Sequence, residues 1–347
     1  MKAENMYNRR VTRRDFLREI SFGTAGLAMT MAGLTVKASA AQSEGKSRVA
    51  FVTGNDRRDM VYQLMKPFEK EIREGIRGKQ VIIKPNFVST SVPLCATHVD
   101  AVRGVLDFLK PIYNRKVIIG ESTASRGGTM AGYENYGYSP LKNEYNVDLI
   151  DFNLENSTYE WVLDRNLRPA AIPIINSFLD PNNYFISVTR LKTHDRVIVT
   201  LSIKNMVMGS PLHKYNVQNY KGIMHPKGVR SAHYNIFLIA RKILPNFSIL
   251  ESVEGMQGNG PTNGFPMEHG VALSGIDPVA VDSIGAGLMG IDVNDIGYIK
   301  FCGDAGLGQL ERSNIEIIGD KDPANYVQKY QLHQRIEQQL EWKSEMN

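Results

Sequence analysis

Gln80-Val81-Ile82-Ile83-Lys84-Pro85-Asn86 is the stretch from which the fold can be read. Val81–Ile83 run without polar alternation and stop at a lysine and a proline, too soon for a helix. A short run apolar on both faces is what a strand inside a parallel sheet looks like. Lys116-Val117-Ile118-Ile119-Gly120 repeats the pattern and ends in Glu121-Ser122. Tyr184–Arg190 repeats it again and runs into Leu191-Lys192-Thr193-His194. Arg48–Thr53, Val147–Phe152, Phe247–Ser252, Val271–Gly275 and Asn314–Ile318 are the other strands expected. Helical spacing falls between them. Met60, Leu64 and Phe68 share one face; Val102, Val105, Leu106 and Leu109 share another; Ser231–Leu244 is amphipathic and stops before Pro245. Asp277-Pro278 opens a helix with a good N-cap and a proline at the first helical position, and one more helix is expected at about 294–302. The alternation predicts an α/β fold: open, mainly parallel sheets with helices on both faces. A small inserted β hairpin is expected from Tyr159–Leu163 and Ala170–Ile175. Residues 210–229 and the Gly/Pro-rich 255–266 read as irregular loops, and long irregular loops in compact domains tend to be functional.

Outward from this core, the chain divides into three. Residues 1–40 read as a twin-arginine signal peptide: Thr12-Arg13-Arg14-Asp15-Phe16-Leu17-Arg18, a mildly apolar run from Phe22 to Val36, then Ala38-Ser39-Ala40 as a small-residue cleavage site. Residues 41–320 read as a single α/β domain with room for two lobes, about 48–155 and 180–320. Residues 321–347 are polar and read as a peripheral C-terminal helix. The export segment accounts for most of the formal charge of +5. It holds seven of the 41 basic and three of the 36 acidic residues, which leaves 34 against 33 in the mature chain. With no block of like charge left, the electrostatic footprint for nucleic acid is absent. The apolar run is short of the roughly 20 residues that span a bilayer, so the mature protein is not expected to be membrane-embedded. It is expected in the periplasm or another extracytoplasmic compartment, with the twin-arginine export machinery as a partner. Two cysteines, Cys95 and Cys302, exclude a disulfide scaffold and any metal centre built mainly of thiolates.

In open α/β sheets, ligands bind outside the carboxyl ends of the strands. Lys84-Pro85-Asn86, Glu121-Ser122, Lys192-Thr193-His194 and Glu251–Glu254 each follow an apolar strand, so they are expected to converge on one cleft. Lys84 and Lys192 are cations suited to phosphate or carboxylate, or nucleophiles if desolvated. Lys204 stands with Asn205 amid apolar neighbours, where a lysine is costly unless it is paired or used. Three roles are assigned on this basis. Lys204, His194 and Lys192 are the catalytic candidates. Lys84, Asn86, Asn205, Gly258 and Gly260 are the substrate-binding candidates, the glycines because bare backbone amides can approach an anion. His98, Glu121 and His225 are the metal candidates, a nitrogen and oxygen set without any short ligand spacing. There is no G-x-S-x-G elbow, no H-E-x-x-H and no Ser-His-Asp order, so hydrolase templates find no support.

The order of motifs resembles the domain-of-unknown-function family numbered 362. It comprises K-P-N at 84–86, T-H at 97–98, G-E-S at 120–122, K-T-H at 192–194 and T-L-S-I-K-N-M-V-M-G at 200–209. His225-Pro226, E-G-M-Q-G-N-G-P at 254–261, D-P-V-A-V-D at 277–282 and G-L-G at 306–308 follow. The resemblance spans roughly residues 49–319. It implies kinship with proteins that are sometimes fused to ferredoxin-like iron–sulfur modules. This chain has no C-x-x-C-x-x-C run, so an intrinsic iron–sulfur cluster is not expected. Some members are similar at fold level to nickel-pincer lactate racemase, although fold alone does not fix function. The expectation is an exported metal- or cofactor-dependent enzyme, its cofactor not named by the sequence. It would act on a small anionic ligand by proton transfer next to a carboxylate or by redox with an external partner. The alternative is a non-catalytic binding protein for an anion or metal.

Overall fold

Val81 and Ile83 pack on one side of a central sheet and Ile82 on the other, all three buried. The continuous apolar run is therefore a strand covered on both faces. The structure, a computed structural model, describes residues 46–226 and 228–344; the expected export segment, residues 1–40, lies outside the described residues. The strands are β1 Ser47–Thr53, β2 Gln80–Lys84, β3 Val117–Glu121, β4 Val147–Asp151, β5 Ser157–Leu163, β6 Pro169–Ile175 and β7 Asn183–Thr189. They continue with β8 Lys192–His194, β9 Ile198–Thr200, β10 His213–Lys214, β11 Gln218–Asn219, β12 Phe247–Asn259, β13 Asn263–Gly275 and β14 Ile315–Ile318. The helices of eight residues or more are α1 Arg57–Met65, α2 Val99–Leu109, α3 Gly128–Asn135, α4 Ser202–Gly209, α5 Val229–Ala240, α6 Pro278–Leu288 and α7 Gly297–Asp304. No helix among the described residues is long and apolar enough to cross a membrane.

The main sheet runs β14-β1-β13-β12-β7-β2-β3-β4, with β8 and β9 attached beyond β12. β13 is the antiparallel member; the other pairings in this order are parallel. Helices α1 and α2 cover one face and α4, α5, α6 and α7 the other. The architecture is thus the open, mainly parallel α/β sheet with helices on both faces that the alternation predicts. The inserted hairpin is β5–β6, joined to α5 where Asn235 Oδ1 accepts from Leu163 N (2.7 Å) and Asn235 Nδ2 donates to Leu163 O (2.8 Å). From β2 the chain winds through β3 to β4 at one edge, then returns to β7 on the other side of β2. That reversal brings the carboxyl ends of β2 and β7 together, where an open α/β sheet places its ligand site. Lys84 and Lys192 lie on either side of it.

Three expectations change. Residues 255–266 are not a loop. β12 and β13 pair past a bulge at Ser252/Glu254 and continue from Glu254↔Glu268 to Asn259↔Asn263 as a long two-stranded arm. Cross-strand hydrogen bonding holds this arm in spite of its glycines and Pro266. Val197–Val207 is not one element either. It splits into β9 and the first turns of α4. The C-terminal segment is helical only at the short turn Pro323–Tyr326 and at Ile336–Leu340. It is tied down instead by buried Tyr330 and Trp342, and by Gln339, whose Oε1 accepts from Ile198 N (2.7 Å).

Candidate functional site

Lys84 ends β2 wholly inside the protein, at 1% exposure. Its ammonium donates to both oxygens of Glu121 (3.2 and 3.0 Å), to Pro85 O (2.9 Å) and to Asn205 Oδ1 (3.0 Å). Glu121, at the end of β3, also accepts from Phe87 N (3.0 Å) and Ser122 N (2.6 Å). Asn86 Nδ2 donates to the same Asn205 oxygen (2.9 Å), while its own Oδ1 accepts from Lys192 Nζ. Lys192 donates further to Cys95 O (2.8 Å). The convergence expected of the strand ends is therefore real, but Lys84, Asn86, Asn205 and Glu121 satisfy one another. They form a closed polar frame in the interior rather than a row of groups facing a ligand. Gly209 fits against it because a Cβ there would lie 2.0 Å from Lys84 Cε.

The frame holds α4, and α4 carries Lys204. Both ends of this helix meet a buried ionisable group whose charged form has the sign its dipole favours. At the amino end, Asp282 Oδ1 and Oδ2, from α6, accept from Ser202 N (2.8 Å) and Ile203 N (2.9 Å). At the carboxyl end, Lys221 Nζ donates to Met208 O (2.8 Å), Gly209 O (3.3 Å) and Ser122 Oγ (3.1 Å). Burial pushes the Asp282 carboxyl up to about 8, against the two amide donors, and pushes Lys221 down to about 7, against the pull of Glu121. Lys221 and the role of Asp282 are invisible in the sequence. Asp282 meets α4 across 79 and 80 residues and Lys221 meets Ser122 across 99, and only Asp282 within D-P-V-A-V-D stands out at all.

Lys204 differs from the frame lysines. It is buried, at 4% exposure, yet its amine forms no hydrogen bond with a described residue. Burial lowers it to about 7, with the charge of Lys192 acting the same way and Asp195 opposing. The positive end of α4 adds to the cost of a charge there. Two imidazoles lie within its field: His194, also buried, and His225, their ring centroids 5.1 Å apart. Both are pushed well below the usual histidine range by burial first and by Lys204 second. His194 Nδ1 accepts from Arg196 N (3.1 Å), which leaves the proton of the neutral ring on Nε2. His225 Nδ1 is buried without a partner. Arg196 flanks both rings, donates a side-chain hydrogen bond to Pro226 O (3.4 Å) and holds its Nε 3.9 Å from Asp195 Oδ2.

The segment between these groups is strained. Ile198, buried and β-branched, has φ +69°, and Val199 N donates back to Val197 O (2.8 Å). That is a γ-turn of the left-handed, rarely used kind. Such a conformation costs of order 1–3 kcal/mol and persists only where surrounding structure enforces it, commonly at functional sites. Here Gln339 and the β8–β9 pairing enforce it.

The remaining candidates are placed elsewhere or occupied. Gly258 N donates to Gln331 O (2.6 Å) and Gly260 N to Gly258 O (2.9 Å), so neither amide is open to an anion. These glycines instead let the β12–β13 arm lie on β8: a Cβ on Gly260 would sit 2.1 Å from Thr193 O, and Thr193 Oγ1 donates to Gly258 O (2.9 Å). His98 caps α2, its Nδ1 accepting from Asp100 N (3.2 Å), among Arg57, Glu251 and Arg190. The expected metal set of His98, Glu121 and His225 is not assembled. Among the described residues no group of three or more His, Cys, Asp or Glu side chains is arranged to hold a metal ion. The residues present do not fit a protein-built metal centre, because Glu121 is bound by Lys84 and two amides and His98 by its helix.

Fold and site together define an α/β protein with buried amines and imidazoles gathered at the carboxyl edge of its sheet. The chain belongs to the family described as a domain of unknown function (DUF362), whose model matches residues 81–287. A thylakoid-associated protein of Synechocystis sp. is 25% identical over 220 residues, 62% of this chain and 64% of that protein. The chain thus covers less than two thirds of that relative's length. Among solved structures, it is similar to the lactate racemase apoprotein of Thermoanaerobacterium thermosaccharolyticum, with 16% identity, a TM-score of 0.37, and 60% of this chain and 50% of that chain covered. It is also similar to a protein from Thermotoga maritima, with 12% identity, a TM-score of 0.37, and coverage of 62% and 55%.

Two outcomes follow from the electrostatics. Glu121→Gln leaves the Lys84 charge buried without its counterion and costs about 3–5 kcal/mol, measured as a lowered midpoint in urea unfolding. Lys204→Met does the opposite. The folded amine titrates near 7 and the unfolded one near 10.4, so the folded state disfavours the proton. The penalty is full below pH 7 and fades as pH rises towards 10. The methionine variant is therefore more stable by about 2–4 kcal/mol at pH 6, with a gain that shrinks above pH 9 in the same assay.

Proposed function

We propose that this protein is an exported enzyme that moves a proton next to the carboxylate of a small anionic substrate, with Lys204 as the acid–base group. The observation that supports it is the buried Lys204 amine, without a hydrogen bond, in the field of Lys192, His194 and His225. Acid–base catalysis is most effective when the group titrates near the working pH, and burial brings Lys204 there. A lysine kept in that state costs stability, as active-site groups commonly do. His194, with its proton on Nε2, serves as a neutral hydrogen-bond donor to a developing oxyanion. The Arg196 guanidinium edge is suited to a substrate carboxylate. Lys84, Asn86 and Asn205 hold the frame. A metal ion would need ligands beyond the His, Cys, Asp and Glu side chains of the described residues. Thr12–Arg18 supports export by the twin-arginine machinery and a periplasmic location.

The test is solvent-deuterium exchange. The purified mature protein is incubated in D2O with 2-oxo, 3-oxo and 2-hydroxy acids, and carbon-bound protons next to the carboxylate or the carbonyl are followed by proton NMR. Exchange is expected in at least one acid, and Lys204→Met slows it by about 100-fold or more. No exchange in any acid, or equal exchange in the variant, overturns the proposal; binding without exchange returns the protein to the role of an anion-binding module.

A further inference from the structure

Four lysines are buried among the described residues: Lys84, Lys192, Lys204 and Lys221. Three of them donate hydrogen bonds to carboxylate, amide, hydroxyl or carbonyl oxygens. An amine held in that way is a structural tie. Lys204 is the exception, and its setting is that of a nucleophile. A second buried amine, Lys192, acts on it. Desolvation beside another cation is the usual way in which a protein keeps a lysine neutral enough to attack a carbonyl carbon. The imidazoles in its field and the groups beside them match the rest of such a substrate: Arg196, its Nε 3.9 Å from Asp195 Oδ2 and its Nη1 on Pro226 O, for a carboxylate, the Nε2–H of His194 for a carbonyl oxygen, and the unpartnered Nδ1 of His225 for a proton in transit.

We propose that Lys204 forms an imine with a 2-oxo acid, a refinement that rests on Lys204 as the proton-transfer group above and places the labile proton on the carbon beyond the carbonyl. The amine nitrogen attacks the carbonyl carbon, and the carbonyl π pair moves onto oxygen. The two N–H protons of the neutral amine end on that oxygen, which leaves as water while the C=N bond forms. No oxidant or reductant enters. The imine then acts as the electron sink for loss of the neighbouring carbon-bound proton, which the ketone alone supports poorly. Lys84, Lys192 and Lys221 do not form the adduct, because hydrogen bonds to protein oxygens hold their amines in place.

Borohydride trapping tests it. The mature protein is mixed with pyruvate or 2-oxoglutarate, reduced with borohydride, weighed intact by mass spectrometry and mapped by proteolysis. One reduced adduct per chain is expected, on the peptide that contains Lys204, and it is lost in Lys204→Arg. Because the wild-type map locates the adduct by itself, the result does not depend on that variant folding. No adduct with either acid, or adducts scattered over exposed lysines alone, overturns the proposal. Deuterium exchange without trapping removes the imine and leaves proton transfer by Lys204 standing; absence of both removes the two together.

Discussion

The Lys84–Glu121 ion pair is the constraint on which the rest of the site depends. Two charges taken out of water are stabilising only when geometry is good and the remaining donors and acceptors are satisfied. Both conditions hold here. The carboxylate accepts from an ammonium and two amides, and the ammonium has a carboxylate, a carbonyl and the Asn205 side chain. The pair joins the carboxyl ends of two adjacent parallel strands, and through Asn205 it reaches a helix more than a hundred residues away. A displacement of α4 would take Asn205 away from Lys84 and Asn86, so the frame favours one position of the helix. Asp282 and Lys221 close its two ends and reinforce that position.

Lys204 follows from this rigidity. A flexible helix would let the amine swing out or find an oxygen; with α4 held by the frame, Lys204 stays at 4% exposure. The same logic applies to Ile198. A strained turn can be held because Gln339 and the paired strands around it make relaxation expensive. Two disfavoured features, a lone buried amine and a left-handed β-branched residue, lie within seven residues of each other in a molecule whose other buried lysines are paired. Departures from local rules that lie together in this manner mark a place where structure is kept for chemistry rather than for stability.

Much of the architecture was legible in the sequence. Val81–Ile83 and Val117–Ile119 are strands because they are buried on both faces, and that burial is what makes the run continuous. The convergence of Lys84, Glu121 and Lys192 followed from the carboxyl-end rule. What each residue does there was not legible. Lys84 and Asn86 look like ligands for an anion, and only the three-dimensional partners show them to be ligands for one another. Gly258 and Gly260 look like an anion cradle, but strand pairing and close approach to Thr193 use their lack of a side chain. The metal set failed for a related reason: a histidine at a helix start and a glutamate after a strand had local roles that compete with coordination. The Lys204-Asn205 dipeptide divides one step further. The asparagine belongs to the frame and the lysine does not, a difference of one position on a helix whose existence the apolar run 197–207 concealed.

The central claim is that the Lys204 amine titrates near neutral pH rather than in the ordinary lysine range. Titration of the lysine side chains by carbon NMR, in protein labelled with carbon-13 lysine and assigned by comparison with Lys204→Arg, measures it directly. A resonance that titrates near 7 and vanishes in the variant is the result the structure requires. A Lys204 resonance that titrates in the ordinary lysine range, near 10.4, would contradict it.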